Sequence, residues 1–183
     1  MKKIIGEKVI LRDIIEKDIL DYFRWNTIET EWWLWDAPWE DDGNFDQIKF
    51  REKTLDKIEK LKNLHSVRTG FEICIRDSSE THIGWTNSYF IELNENQKKL
   101  TAIGIDIPEQ WARSNGYGTE AWVLFINYLK KNNITDIYTQ TWSGNDRAIG
   151  LIMKLGFEEC RRLIGIREVR GKKYDALTFK LKN

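Results

Sequence analysis

The stretch Arg113-Ser-Asn-Gly-Tyr-Gly-Thr119 decides how the rest of the sequence is interpreted. It follows a strand-like run that ends at Pro108, and it leads into an amphipathic helix predicted over residues 119–131. The first N–H groups of a helix have no partner inside the helix, and the helix dipole places partial positive charge there. Two closely spaced glycines at a helix start therefore predict a phosphate-binding site, to which Arg113 would add a charged donor.

Two glycines before a helix leave other interpretations open. The simplest is an ordinary glycine-containing turn. Gly116, Gly118 and Ala121 also match the G-x-G-x-x-A form of the dinucleotide fingerprint, which belongs after the first strand of a parallel sheet, with an acid ending the next strand. Here antiparallel strands are predicted before the turn, and Asp136 would open the following strand instead. The absence of a G-x-x-x-x-G-K-[S/T] sequence excludes a P-loop.

The segments on either side of this turn predict a mixed α and β fold. Before it, a β-branched strand over 7–12 and two amphipathic helices precede three alternating antiparallel strands, at 69–76, 83–93 and 100–107. Asp13 and Glu16 have the spacing of a capping box, which predicts that the first helix begins near Asp13. The second helix is predicted from about Asp46. After the turn, helix and strand alternate, and Arg170-Gly171 predicts the turn of a final hairpin.

Composition favours one domain, over residues 1–183, in the cytoplasm. Lys plus Arg and Asp plus Glu both number 29, so no basic excess indicates a nucleic-acid or membrane-surface partner. No apolar run reaches the roughly 18 residues of a membrane span, and the first six residues do not resemble a signal peptide. Cys74 and Cys160 have neither disulfide nor metal-ligand spacing. His65 and His82 are expected at the surface or in turns, and no metal is expected.

The same residues resemble a known family. Arg113-x-x-Gly116-x-Gly118 is similar to the Gln/Arg-x-x-Gly-x-Gly/Ala motif with which GCN5-related N-acetyltransferases (GNAT) hold the pyrophosphate of acetyl-CoA. Asn145 and the run 154–157 resemble the second signature of the family, and Leu11-Arg12-Asp13 is similar to the opening of its RimJ/RimL-like branch. The resemblance covers nearly the whole chain. It implies an α+β fold with one mixed, mainly antiparallel sheet of about seven strands, splayed at the fourth strand, with helices on both faces.

The resemblance also implies where the cosubstrate acetyl-CoA binds. Backbone groups of Ile105, Asp106 and Ile107 at the splay would bond the pantetheine arm, and one N–H there would stabilise the thioester oxyanion. Asn145 would hold the pantetheine. The pyrophosphate would lie on the loop residues Arg113, Ser114, Asn115, Gly116, Tyr117, Gly118 and Thr119.

The sequence departs from the commonest catalytic pattern of the family. Ile152 stands where a Tyr often acts as acid toward the sulfur, and Ala102 where a Glu often acts as base. The remaining candidates for catalysis are Asp106, Asn145, Ser143 and, in the tryptophan-rich segment, Asp36. The alternatives for two of them are a solvated carboxylate at a strand end for Asp106 and a helix N-cap for Asn145.

A tryptophan-rich loop over residues 29–42 joins the two predicted helices, where the family places its acceptor wall. It holds four tryptophans and six acidic residues. Carboxylates attract amines, and indole faces bind ammonium or guanidinium groups by cation–π contact. We therefore expect a positively charged acceptor, bound by Trp33, Trp35, Asp36 and Trp39. The alternative is that the tryptophans pad the helices against the sheet while the acids are solvated.

Together these features predict an acyl-CoA-dependent N-acyltransferase that needs no metal. It would transfer acetyl from acetyl-CoA to a primary amine, of a cationic small molecule or of a peptide N-terminus, by direct attack in a ternary complex. We expect a monomer or a homodimer, with neither nucleic acid nor membrane as partner. A non-catalytic CoA-binding sensor is the second interpretation, because the usual Tyr and Glu are absent, and a dinucleotide-binding domain is the third.

Overall fold

The structure is a computed structural model that describes residues 1–40, 45–93 and 99–182. The strands within these residues are β1 (Lys3–Ile5), β2 (Val9–Arg12), β3 (Gly70–Ile75), β4 (His82–Ile91), β5 (Leu100–Asp106), β6 (Ile137–Trp142), β7 (Phe157–Val169) and β8 (Lys172–Leu181). The α-helices are α1 (Asp18–Thr27), α2 (Gln47–Lys62), α3 (Tyr117–Lys131) and α4 (Asp146–Lys154). Short 3-10 turns cover Thr30–Leu34 and Gln110–Ala112. Asp41 and Asp42 of the tryptophan-rich loop, and positions 94–98 of the β4–β5 connection, lie outside the described residues.

All these strands form one sheet, in the order β1-β2-β3-β4-β5-β6-β8-β7. Each neighbouring pair is antiparallel except β5 and β6, which run parallel. The predicted mixed, mainly antiparallel sheet is confirmed. The described residues form eight strands where about seven were predicted, because β1 has three residues, too few to show the alternation by which strands are recognised. That residues 1–183 form one domain stays a prediction.

The strands β5 and β6 separate soon after they meet. Within the described residues their register pairs are Thr101–Ile137 and Ala102–Tyr138. Beyond these pairs a side chain takes the place of a ladder bond, since Thr139 Oγ1 donates to the carbonyl of Ile103 at 2.8 Å. The predicted splay is therefore present, and its strand is the fifth because β1 comes before it.

Helices cover both faces of the sheet, as predicted. The face with Leu11 packs against α3 and α4, where Phe125 and Ile152 are fully buried. The opposite face, with Arg12, packs against α1, where buried Trp25 lies with its ring centroid 4.8 Å from that of His82. The chain after α1 continues along this second face to the splay, because Trp142 Nε1 on β6 donates to the carbonyl of Trp35 at 2.9 Å.

The helix and turn boundaries test the local signals in the sequence. The capping box at Asp13 is wrong: α1 begins at Asp18, and Asp13 instead accepts hydrogen bonds from Arg68 Nε at 2.9 Å and from a backbone N–H at 2.7 Å. The start of α2 is confirmed, because the side chain of Asp46 accepts from the backbone N–H of Lys49, in the first turn, at 2.9 Å. The hairpin turn at Arg170-Gly171 is also confirmed, with φ of 51° and 74°. No helix among the described residues is long and apolar enough to cross a membrane.

Candidate active site

The loop between β5 and α3 places a helix N-terminus beside the splay. The helix begins at Tyr117, two residues earlier than predicted, and Gly116 precedes it with φ of 84°, a left-handed conformation that suits glycine. A Cβ on Gly118 would be 3.3 Å from Cδ1 of Ile107, so the absence of a side chain lets the helix start lie against the end of β5. This arrangement fits a phosphate group on the exposed N–H groups of the first turn.

Arg113 is engaged within the chain. Its Nε donates to the carbonyl of Ile107 at 2.8 Å, and its Nη2 donates to the carbonyl of Pro108 at 3.0 Å. Its Nη1 forms an ion pair with Glu31 in the first 3-10 turn at 2.5 Å. Arg113 therefore fastens the loop to the end of β5 and to the segment after α1, and its charge is balanced by Glu31.

A lysine that the sequence reasoning missed lies at the same loop. Lys8 Nζ donates to the carbonyl of Asn115 at 3.3 Å and is 3.4 Å from the position of a Cβ on Gly116. Glu120, in the first turn of α3, holds the lysine's backbone by accepting from the N–H groups of Glu7 and Lys8. Lys8 and Asn115 are 107 residues apart in the sequence. Their contact is visible only in the structure, where Lys8 directly precedes β2.

Asn145 and Ser143 connect α4, β6 and the tryptophan-rich loop. Asn145 is the N-cap of α4, with Oδ1 accepting from the N–H of Ala148 at 3.1 Å. Its Nδ2 donates to the carbonyl of Trp35 at 2.9 Å. Ser143 Oγ accepts from the N–H of Asp175 on β8 at 2.9 Å. Both ends of the Asn145 amide are thus occupied by the chain itself.

The tryptophan-rich loop lies beside the splay, and cations of the chain cover two of its indole faces. The guanidinium of Arg147 lies 4.3 Å from the ring centroid of Trp35, and that of Arg167 lies 4.3 Å from the ring centroid of Trp39. Trp33 stands edge-on to its neighbour Trp32, with centroids 6.1 Å apart. The indole faces of Trp35 and Trp39 are thus in contact with arginines from α4 and β7, and a contact with a cationic acceptor stays a prediction.

Three titratable groups meet at the splay, and we call Asp36, Tyr89 and Asp106 the splay cluster. Asp106 ends β5 and is half-buried; burial, and then the nearby carboxylate of Asp36, raise the pKa of Asp106 well above its usual range. Burial and Asp36 also raise the pKa of Tyr89 to about 12, although a hydrogen bond from the backbone N–H of Gln140 lowers it. A carboxyl whose pKa is raised in a cleft is a candidate for proton transfer.

The positions of the usual family acid and base are buried in this chain. Ile152 is 1% exposed and belongs to the core between α4 and the sheet. Ala102 is fully buried on β5, where its register partner on β4 is Tyr89. Sequence reasoning missed Tyr89, because nothing near it in the chain indicates that it reaches the splay.

A second charged group lies under α1, and we call it the α1 cluster: Arg12, Asp18, Asp21, Glu72 and His82. The prediction that His82 lies at the surface is wrong, since His82 is buried, with its Nδ1 3.0 Å from the half-buried Asp21 and its Nε2 3.1 Å from the buried Glu72. Burial lowers the pKa of His82, but these hydrogen bonds raise it to about 9. Both Nη atoms of Arg12 bond Asp18, at 2.6 and 2.7 Å.

The α1 cluster also has the spacing of a metal site. One ligand atom each from Asp18, Asp21 and His82 lies within 4.8 Å of the others. In the described structure Asp18 is bonded to Arg12, and both ring nitrogens of His82 lie within hydrogen-bond distance of carboxylates. The described geometry is therefore that of an ion-pair network.

A family model described as an acetyltransferase (GNAT) domain matches residues 8–158. With the splayed sheet and the glycine-containing helix start at its opening, this match makes the chain an acyl-CoA-dependent N-acyltransferase by class. The chain therefore belongs to the GNAT family. No curated protein is significantly similar to it in sequence.

Solved structures share the fold over nearly the whole chain. A ribosomal-protein-S5-alanine acetyltransferase from Vibrio fischeri is 14% identical, with a TM-score of 0.75 over 100% of this chain and 97% of that one. A GNAT acetyltransferase from Bacillus anthracis is 14% identical, with a TM-score of 0.70 over 98% of both chains. The ribosomal alpha-N-protein acetyltransferase RimL, in complex with coenzyme A, is 14% identical, with a TM-score of 0.71 over 98% and 97%. At these identities the likeness establishes the fold.

Proposed function

We propose that this protein transfers an acetyl group from acetyl-CoA to the amine at the N-terminus of a peptide or protein. The observation that carries the proposal is the splay cluster, in which the carboxyl of Asp106 is made more basic by burial and by Asp36. It lies where β5 and β6 part, beside the start of α3. Amine acylation needs an acceptor for the amine proton at that place.

On the cosubstrate side, the loop over 113–119 would hold the pyrophosphate, through the first-turn N–H groups of α3. Arg113 would act by fixing the loop to Ile107 and Pro108, and Asn145 by fixing the start of α4. Backbone groups of residues 105–107 would orient the pantetheine. Acetyl-CoA supplies the activated acetyl thioester.

On the acceptor side, Asp106 would take the proton that the amine loses, and Asp36 would attract the amine as an ammonium ion. The amine would attack directly in a ternary complex. Burial of the carboxyl matters here, because a base with an ordinary carboxyl pKa of about 4 would take a proton from an amine too rarely. Asn145 and Ser143 would position the surrounding elements.

Two observations favour a peptide acceptor. Arg147 and Arg167 already occupy the faces of Trp35 and Trp39, so these faces do not require a second cation from the substrate. The neighbours from Vibrio fischeri and RimL are described as enzymes that acetylate ribosomal proteins. A small cationic amine is the second candidate, and the acidic groups of the tryptophan-rich loop favour it.

Ligand binding and turnover can be tested in two steps. Acetyl-CoA should raise the melting temperature and NAD should not, because a ligand stabilises only a state that binds it. Thiol release from acetyl-CoA should then be fastest with N-terminal peptides, compared with polyamines, aminoglycosides and free amino acids. Acetyl-CoA binding without thiol release from any amine would support the sensor interpretation, and stabilisation by NAD instead would support the dinucleotide-binding one.

A further inference from the structure

Tyr89 lies on β4, which is next to β5 and two strands away from β6 in the sheet. It lies on β4 opposite Ala102 of β5, and Ala102 pairs with Tyr138 of β6 just before those strands separate. Tyr89 is 36% exposed, and its ring extends from β4 towards Gly104 of β5. The phenol of Tyr89 is therefore accessible beside the part of β5 that lies beyond its last pair with β6.

Gly104 leaves the path of the Tyr89 ring open. A Cβ at position 104 would be 3.6 Å from Cε1 of Tyr89 and 2.8 Å from Oδ1 of Asn87. The phenol thus lies against the part of β5 that has no side chain on this face. This is also the part of β5 that no longer pairs with β6.

The surroundings of the hydroxyl limit what it can do. A phenol O–H is a hydrogen-bond donor. The charged or titratable groups that act on it are Asp36 and Asp106, both acidic. Burial and these carboxylates raise the pKa of Tyr89 to about 12, so the phenol keeps its proton at physiological pH and cannot serve as a base.

We propose that Tyr89 is a further catalytic residue, whose O–H donates a hydrogen bond to the reacting thioester at the splay. The inference rests on the proposed function. The amine nitrogen forms the new C–N bond, its surplus proton passes to Asp106, the C–S bond breaks, and the sulfur leaves with the electron pair. A thiol with a pKa near ~8.5 can leave as a thiolate. Tyr89 stabilises the developing negative charge without giving up its proton.

The kinetic test compares Tyr89→Phe with Tyr138→Phe. Tyr138 is a matched control, because it lies on the same face, on the other side of Ala102, and its hydroxyl is directed to Asp136, 3.5 Å away. We expect Tyr89→Phe to lower kcat by about tenfold or more, with the Kd of acetyl-CoA within about twofold and the melting temperature close to that of Tyr138→Phe. The proposal would be overturned if the two variants had equal kcat. It would also be overturned if Tyr89→Phe lost stability but its folded fraction kept the kcat of the unmodified protein.

A second test measures contact without turnover. The protein has six tyrosines, and 3-fluorotyrosine labelling gives each a fluorine resonance that a Tyr→Phe variant assigns. On titration with acetyl-CoA, we expect the resonances of Tyr89 and of Tyr117 in the loop to shift, and that of Tyr138 to stay in place. A shift of Tyr117 without Tyr89 would overturn this inference alone. Absence of any shift at saturating acetyl-CoA would contradict the proposed function, and with it the inference.

Discussion

The α1 cluster and the splay cluster lie on the same face of the sheet but are built in opposite ways. In the α1 cluster each charge faces one of opposite sign, as in the pair of Arg12 and Asp18, whose side chains are 3% and 1% exposed. In the splay cluster the neighbouring carboxylates have the same sign, and burial and then Asp36 raise the pKa of Asp106. Opposite charges stabilise the ionised forms, whereas like charges raise the free energy of ionisation and make a carboxylate a better proton acceptor. We therefore expect the α1 cluster to contribute to stability and the splay cluster to proton transfer.

The largest effect expected concerns the stability of the α1 cluster. Asp18→Asn leaves the buried guanidinium of Arg12 without its carboxylate and should lower the free energy of unfolding by about 4 kcal/mol, measured by urea denaturation. The control is Asp56→Asn, which removes an exposed pair with Lys60 and should change stability by less than about 0.5 kcal/mol. Unchanged stability in Asp18→Asn would contradict the structural role of the cluster.

His82 makes the stability of the same cluster depend on pH. Its pKa of about 9 in the folded protein exceeds the ordinary histidine value of 6.5, so the protonated ring stabilises the fold fully below about pH 6.5. That stabilisation is lost as the pH rises through about 9. Between about pH 6 and pH 10 the free energy of unfolding should fall by about 3 kcal/mol more in the unmodified protein than in His82→Gln. Parallel pH–stability curves for the two proteins would refute the raised pKa.

The splay cluster should instead respond in activity. Asp106→Asn removes the proton acceptor and should lower kcat with an N-terminal peptide by about a hundredfold, with little change in stability. Asp136→Asn is the control, since this exposed carboxylate precedes β6 and pairs with Lys180 at 2.8 Å. Full activity in Asp106→Asn would place the base elsewhere and remove the contrast between the clusters.

The smallest effect is expected at the loop. Lys8→Gln removes the ammonium near Asn115 and should weaken acetyl-CoA binding by about threefold, measured by calorimetry at low salt. Lys130→Gln changes an exposed lysine in the last turn of the same helix and should leave the Kd unaltered. An equal Kd for Lys8→Gln and the unmodified protein would show that the first-turn N–H groups suffice.

Features with local signals were predictable from the sequence. The turn at Arg170-Gly171, the start of α2 at Asp46 and the helix after Gly116 each depend on residues within a few positions, and the structure has all three. The splay was predictable because Pro108 and the family resemblance mark the same strand. The capping box failed because Asp13 found a tertiary partner, Arg68, that no local spacing reveals.

The parts of the candidate site that sequence reasoning missed depend on distant pairings. His82 is buried because Asp21, 61 residues away, and Glu72 on the neighbouring strand meet its two ring nitrogens. Tyr89 reaches the splay because of its register opposite Ala102. The indole of Trp35 is covered by Arg147, which is more than a hundred positions further along the chain. A composition or a spacing does not encode such contacts.

The most direct test of the central claim, that Asp106 is the base at the splay, is the pH dependence of kcat with a saturating N-terminal peptide. A base must be ionised to accept a proton, so activity should fall as the pH drops through the raised pKa of Asp106, well above an ordinary carboxyl value of about 4. We predict that this acid limb is present in the unmodified protein and in Asp136→Asn, and absent in the residual activity of Asp106→Asn. An acid limb that persists unchanged in Asp106→Asn would contradict the account.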